Sequence, residues 1–311
     1  MSGMQGRTCV ITGATAGIGL ETAAALAAEG AVVIGVGRDR ARSEAARAAL
    51  RDRTGNRDIH FEIADLSSQG EVQALARRLA GRCRSVDVLI NNAGMFTSTY
   101  QASADGIELQ FAVNHLAGFL LTRELLPVLA ASDAARVIGL SSGSHFAGRI
   151  HWDDVGMHRR YFGLAAYDQS KLAVVMFCRE LARRLGPGSR IATCSVDPGL
   201  VKTDIGAKRT GFLVRTAWRL RTRMGVSAAD AAASVALLAA DPRAQGASGL
   251  YWKERRPLTP SEASLRGEDA RRLWELSERL CGVDFLRQPA TARPASPLPA
   301  QSCQTPKSAF H

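Results

Sequence analysis

With 311 residues the chain can bury a full hydrophobic core and form one large domain or two small ones. Its composition is that of an ordinary soluble globular protein; no apolar run reaches the ~18 residues of a membrane span and no leader pattern opens it, so a cytoplasmic protein without a stable membrane anchor is expected. The net charge of +11 raises the question of a nucleic-acid or phosphate partner, but the arginines are spread through helical segments rather than gathered in one stripe, so they read as solvated surface and no nucleic acid is expected.

Apolar runs rich in β-branched residues alternate with longer segments of helical period, the rhythm of βαβ units on a parallel sheet. The first strand, Thr8–Ile11, runs into VITGATAGIG at 10–19 and a helix over Gly17–Glu29. Glycine at such a turn admits unusual backbone angles and removes side-chain bulk, and the helix N-terminus favours anionic charge. Gly13, Thr15, Ala16, Gly17, Ile18 and Gly19 are therefore candidate contacts for a dinucleotide pyrophosphate, although the spacing G-x-x-x-G-x-G departs from G-x-G-x-x-G. The second strand, Ala31–Gly35, ends in VIGVGRDR. Gly37 stands where an acidic residue would grip an adenosine ribose, and Arg38 follows, which favours a ribose 2′-phosphate and hence NADP(H), with NAD(H) as the alternative.

A helix over Ala41–Arg53 and a strand over Ile59–Ile63 come next. Asp65 and Leu66 follow that strand; Asp65 suits either an adenine amino group or a helix N-cap. Beyond a helix over Gln69–Arg82, the strand Val86–Ile90 ends in NNAG, where Asn92, Ala93 and Gly94 allow a ligand to approach closely. One long helix is expected over Ile107–Ala131, with Asn114 inside it. The strand Arg136–Leu140 leads to Ser141 and Ser142, and a helix over Tyr167–Leu185 places Tyr167 and Lys171 at i and i+4, on one face. Asp168 and Gln169 between them carry no assigned role. The strands Ile191–Val196 and Gly249–Trp252, the helix Ala228–Ala239 and a closing amphipathic helix over Asp269–Leu280 complete the domain.

The six cysteines, Cys9, Cys83, Cys178, Cys194, Cys281 and Cys303, include no C-x-x-C pair, and several sit in apolar runs. They read as reduced, packed thiols with no metal site. His145, His151 and His158 have spacings unlike metal-ligand pairs and read as surface or packing residues.

Taken in order, TGATAGIG, NNAG, Asn114, Ser142, Tyr167, Lys171 and DPGLVKTD resemble the short-chain dehydrogenase/reductase family over about residues 5–285. VNHLAGFLLTREL, SSGSH and RYFGLAAYDQSKLA are most similar to its retinol dehydrogenase-like group. The resemblance implies a doubly wound Rossmann α/β domain over 1–287, with a seven-stranded, mostly parallel sheet and helices on both faces; 288–311 read as a disordered Pro/Ala/Ser-rich tail. It further implies hydride transfer between a nicotinamide cofactor and a lipophilic alcohol, aldehyde or ketone. Tyr167 would act as general acid/base, Lys171 would tune it and reach the nicotinamide ribose, Ser142 rather than Ser141 would donate to the substrate oxygen, and Asn114 would hold a water linked to Lys171. Pro198, Gly199, Val201 and Thr203 would flank the nicotinamide.

The 24 residues between Ser142 and Tyr167, about twice the interval common in the family, would form a rim of the substrate pocket. Segment 204–224 reads as a lid over substrate, a basic amphipathic surface helix, or ordinary packing. Leu172, Val174, Val175 and Phe177 suit either core or the seam of a homodimer or homotetramer. A cofactor-binding sensor or scaffold without turnover is the rival function, against which the complete Asn114, Ser142, Tyr167, Lys171 set argues.

Overall fold

In the computed structural model, residues 3–199, 201 and 226–286 are described. β1 (Thr8–Thr12), β2 (Val32–Gly37), β3 (Ile59–Ile63), β4 (Val88–Asn91), β5 (Ala135–Leu140), β6 (Ile191–Asp197), β7 (Tyr251–Lys253) and β8 (Arg256–Leu258) form one sheet in the order β3-β2-β1-β4-β5-β6-β7-β8. All neighbours pair parallel except β7 and β8. The order reverses between β1 and β4, so the crevice at their carboxyl ends is where such a sheet takes a ligand. The glycine turn and NNAG both open there.

Strands buried on both faces need two covers. α1 (Gly17–Ala28), α2 (Arg40–Thr54) and α7 (Ala228–Ala240) pack one face, through Ala23, Leu26, Leu50, Val235 and Leu238. The other carries α3 (Gln69–Arg82), α5 (Ala117–Ala130), α6 (Gly163–Leu185) and, after the short α8 (Glu262–Leu265), the closing helix α9 (Gly267–Cys281), with Leu75, Phe119, Phe177 and Trp274 in the core. No helix among the described residues is long and apolar enough to cross a membrane.

The structure corrects the sequence-based expectation in two places. The sheet has eight strands, not seven: Glu254 and Arg255 both take positive φ (49° and 63°) and turn the chain back on itself, so Lys253 pairs with Arg256. Turns of this kind usually carry Asn or Gly, and neither is present. The helix expected over 107–131 is instead α4 (Leu109–Phe111), a π-turn (Ala112–Leu116) and α5. Such a π-turn frequently marks a functional site, and Asn114 stands inside this one.

Leu172, Val174, Val175 and Phe177 are all buried within the single chain. Phe177 and Phe119 lie beneath α9: the Trp274 ring is 5.2 Å from Phe119 and stacks on Phe177 at 5.9 Å, and Phe285 closes the cluster 4.4 Å from Trp274. The Arg184 guanidinium lies 4.4 Å over the Trp274 ring. Trp274→Ala should cost roughly 3–5 kcal/mol of stability by removing a buried indole from this cluster, read as a lower urea midpoint with an unchanged slope.

Candidate active site

The turn after β1 is built to leave space. Gly13 and Gly17 take φ of 68° and 58°, a region L side chains rarely enter. A Cβ at Gly13 would stand 3.0 Å from the Asn92 amide nitrogen and 3.1 Å from Ala93; one at Gly19 would run into Asn92 and the Gly13 carbonyl. Asn92 joins this turn to the end of β4, donating to the Thr12 carbonyl at 2.6 Å and the Gly13 carbonyl at 3.2 Å, while the Thr12 hydroxyl accepts from the Ala93 N–H at 3.0 Å. Ala16, at the N-cap of α1, supplies no side-chain cap, and the first turn holds no acidic residue. By contrast Asp39 caps α2 and Ser68 caps α3. The N–H groups at the start of α1 are thus left for an anion, which fits a pyrophosphate. Thr15, Gly17 and Ile18 are half-buried beside this opening and Ala16 is exposed.

At the far end of the crevice, a Cβ on Gly37 would lie 2.5 Å from Ser43 Oγ and 2.6 Å from Thr15 Cγ2, so no carboxylate fits there without displacing both. Arg38 is exposed. Asp65 does not cap α3; its Oδ1 accepts from the backbone N–H and the hydroxyl of Ser67 at 2.9 and 2.8 Å. Leu66 packs partly buried against the core.

Tyr167, Lys171, Ser142 and Asn114 converge at the carboxyl ends of β4 and β5. Ser141 and Ser142 part company here: the Ser141 hydroxyl is buried and donates to the Lys171 backbone carbonyl at 2.9 Å, whereas the Ser142 hydroxyl accepts from the Ser144 N–H at 3.2 Å and lies close enough to the Tyr167 phenol to act on its titration. Phe96 meets the Tyr167 ring edge-on at 5.9 Å. Burial raises the Tyr167 pKa above the ordinary phenol value; the Ser142 side chain lowers it in part, while Asp197 and Asp168 add to the rise. Lys171, only 4% exposed, lies with Nζ 5.6 Å from the Tyr167 ring centre and donates to the Leu140 carbonyl at 2.9 Å. Burial lowers its pKa from 10.5 to about 8, against the opposing pull of Asp197. Gly94 keeps the approach clear, since a Cβ there would stand 3.3 Å from Lys171 Nζ and 3.5 Å from Asn114 Oδ1.

Asn114 grips the backbone of Met95 from both sides. Its Oδ1 accepts from the Met95 N–H at 2.7 Å, and its Nδ2 donates to the Met95 carbonyl at 3.0 Å and the Ser170 hydroxyl at 2.9 Å. Both amide hydrogens are used, and one oxygen lone pair is left for a water.

Several residues with no assigned role in the sequence reading turn out to hold the site. Asp197, buried at the end of β6, accepts from the Gly199 N–H at 2.9 Å and the Tyr251 hydroxyl at 3.3 Å, and pairs with Lys253 at 3.6 Å. It thereby fixes the Pro198–Gly199 turn; Gly199 takes φ 83°. The motif DPG had this carboxylate in plain view. Gln169 pins the long insert, accepting from the His151 N–H and donating to the Val155 carbonyl, both at 2.8 Å. Glu108 accepts from the Tyr161 hydroxyl at 2.9 Å and from the N–H groups of Gln110 and Phe111, tying the insert to the helix before the π-turn. Of the three histidines, His145 is buried, while His151 and His158 are exposed; no metal-binding cluster occurs among the described residues. Val201 is buried and bridges Val226. Thr203 and the 204–224 segment lie outside the described residues, as does the 288–311 tail.

The family model for short chain dehydrogenases matches residues 7–211. The chain belongs to the short chain dehydrogenase family. It is an NAD(P)-dependent oxidoreductase acting on CH–OH donors. Human retinol dehydrogenase 13 is 38% identical, with 90% of this chain and 86% of that one covered. Mouse retinol dehydrogenase 12 is 37% identical, with 90% and 88% covered. Among solved structures, an uncharacterized protein from Mycobacterium paratuberculosis is 30% identical, with a TM-score of 0.73 over 92% of this chain and 98% of that one. A short chain dehydrogenase from Escherichia coli CFT073, complexed with NADPH, is 25% identical, with a TM-score of 0.66 over 81% and 98%. The family's matched stretch ends well before β7, β8 and α9, which complete this dehydrogenase.

The buried ammonium has a measurable consequence. Because the folded pKa of Lys171 lies below the unfolded value, the unfolded chain binds more protons between about pH 8 and 10.5, and this group's contribution to stability rises with pH through that window. Lys171→Met should therefore be more stable than the parent at pH 7 by roughly 1–3 kcal/mol, the lost hydrogen bond to Leu140 offsetting part of the gain. Urea unfolding at pH 7 and above pH 10.5 checks this: the advantage should vanish at the higher pH.

Proposed function

We propose that this dehydrogenase uses NADP(H) to interconvert a lipophilic alcohol and its aldehyde or ketone, with Tyr167 as the general acid/base. The observation that carries the reading is the convergence of the Tyr167 phenol, the Ser142 hydroxyl close enough to lower its pKa, and the buried Lys171 ammonium 5.6 Å from its ring centre. The nicotinamide, when bound, supplies or accepts the hydride. Tyr167 manages the proton on the substrate oxygen: burial keeps its phenol protonated around neutrality, the form that donates to a carbonyl oxygen gaining negative charge. In the oxidative direction the phenolate removes the alcohol proton, and positive charge near Lys171 favours that form. Ser142 donates to the same oxygen, where charge develops. Asn114 holds Met95 and the π-turn against Lys171 and offers its remaining lone pair to the water expected there.

A lipophilic substrate is supported by the retinol dehydrogenases among the relatives. The NADP preference is supported by Gly37, where Ser43 and Thr15 occupy the space of a ribose-binding carboxylate, and by Arg38, exposed beside it. The NADPH complex of the related E. coli enzyme agrees with it.

A panel of alcohols, aldehydes and ketones, followed by NADPH absorbance, tests the reading. Tyr167→Phe should lower kcat at least ~100-fold while NADPH affinity stays within about twofold; substantial residual turnover would refute the acid/base role. Arg38→Ala should lower kcat/KM for NADPH about tenfold or more with little change for NADH. A parent enzyme that prefers NADH would reject the cofactor assignment.

A further inference from the structure

His145 lies in the short 3-10 turn Gly143–Phe146, three residues after Ser142, and is fully buried. Both of its ring nitrogens are engaged. Nδ1 stands 2.7 Å from the Ser142 carbonyl oxygen, and the Ser261 backbone N–H donates to Nε2 at 3.1 Å. A carbonyl oxygen can only accept and a backbone N–H can only donate, so the proton sits on Nδ1 and Nε2 is bare. One neutral tautomer satisfies both ends; an imidazolium would set two donors against each other at Ser261. Burial acts in the same direction and lowers the ring's pKa overall, with the bond to the Ser142 carbonyl and then Asp197 opposing and Lys253 reinforcing that shift. The ring also packs between two tilted aromatic neighbours, with Phe146 at 4.1 Å and Tyr251 at 4.6 Å between ring centres.

We propose that His145 is a positioning residue for Ser142: its Nδ1–H holds the Ser142 peptide so that the hydroxyl meets the Tyr167 phenol, and its Nε2 anchors that peptide to Ser261. This rests on the reading of Ser142 as the donor to the substrate oxygen. The Ser142 carbonyl accepts twice from His145, from the ring and from the backbone N–H at 3.1 Å, while the Ser142 hydroxyl accepts from the Ser144 N–H at 3.2 Å. The ring contact is what links this local turn to the chain 116 residues later. Ser261 belongs to the segment between β8 and α9, beyond the stretch that the family model matches. The alignment of the reacting serine is thereby set in part from the C-terminal end of the chain. A hydroxyl that must meet both a phenol and a developing oxyanion tolerates little displacement.

Two substitutions separate the ends of the ring by bond count. An Asn amide nitrogen is two bonds from Cβ, as Nδ1 is, so His145→Asn can keep the bond to Ser142. A Gln amide oxygen is three bonds from Cβ, as Nε2 is, so His145→Gln can keep the bond to Ser261 and loses the other. Both would be compared with the parent and with Ser142→Ala, using NADPH and the aldehyde that the parent reduces fastest. Tm, NADPH binding by fluorescence and steady-state kinetics would be read together. The expected result is a kcat drop of about tenfold or more in His145→Gln, approaching that of Ser142→Ala, with KM for NADPH within about twofold. His145→Asn should retain kcat within about threefold. If His145→Gln keeps parental kcat while Ser142→Ala is crippled, the positioning role is overturned and the reading of Ser142 stands. Equal losses in both His145 variants, or losses that track Tm and the fraction of protein binding NADPH, would also overturn it, leaving a packing role. Full turnover by Ser142→Ala would remove the reading of Ser142 and the positioning role with it.

Discussion

Lys171 carries an ammonium group almost completely out of water, at the carboxyl ends of β4 and β5, where the Leu140 carbonyl accepts from it at 2.9 Å. Desolvation disfavours that charge and Asp197 restores part of what is lost. Much of the neighbourhood follows from having to hold this group in place. Ser141 donates to the Lys171 carbonyl and so sets the start of the helix's buried face against β5. Gly94 has no side chain because one would crowd the ammonium and Asn114 together. The π-turn puts Asn114 where it can hold Met95, and Ser170 joins the two helices beside it. A cation at this depth is tolerable only where its surroundings hold their geometry.

Rigidity on the outer side comes from the closing helix. The aromatic faces of α5 and α6 are covered by Trp274 and Phe285, and Ser277 accepts from or donates to His115, the neighbour of Asn114, at 2.8 Å. The Ser277 hydroxyl also donates to the Leu273 carbonyl at 2.8 Å, which leaves it to accept from His115 Nε2. Burial keeps His115 neutral, its pKa lowered to about 3. The π-turn is thus fixed from inside by Met95 and from outside by α9.

Where structure depends on a local pattern, it was legible in the sequence. The bounds of β3 and α3 coincide with the alternating segment Ile59–Ile63 and the periodic segment Gln69–Arg82. The glycine turn and the Tyr167–Lys171 face were equally open to reading. A π-turn shifts the helical phase by a single residue, too little to break the apolar period across Ala112–Leu116. The β7–β8 turn was hidden because Glu254 and Arg255 adopt left-handed backbone without the usual residues. Asp197, Gln169 and His145 have functions set by partners 14 to 116 residues away. Nothing adjacent to His145 announces Ser261, so its burial could be guessed but its tautomer could not.

The closing helix also fixes the order in which the chain can finish folding. Gln69 donates to the Leu280 carbonyl 211 residues later, His115 meets Ser277 across 162 residues, and Arg123 reaches the Asp284 carbonyl across 161. During synthesis from the N-terminus, the glycine turn and the first five strands emerge well before any of these partners exist. Phe119 and Phe177 then present an aromatic surface with nothing to cover it until Trp274 and Phe285 arrive. A nascent chain in that state exposes the apolar surface that chaperones bind, and a ribosome stalled before the last helix would release a product with its glycine turn assembled and its π-turn unsupported.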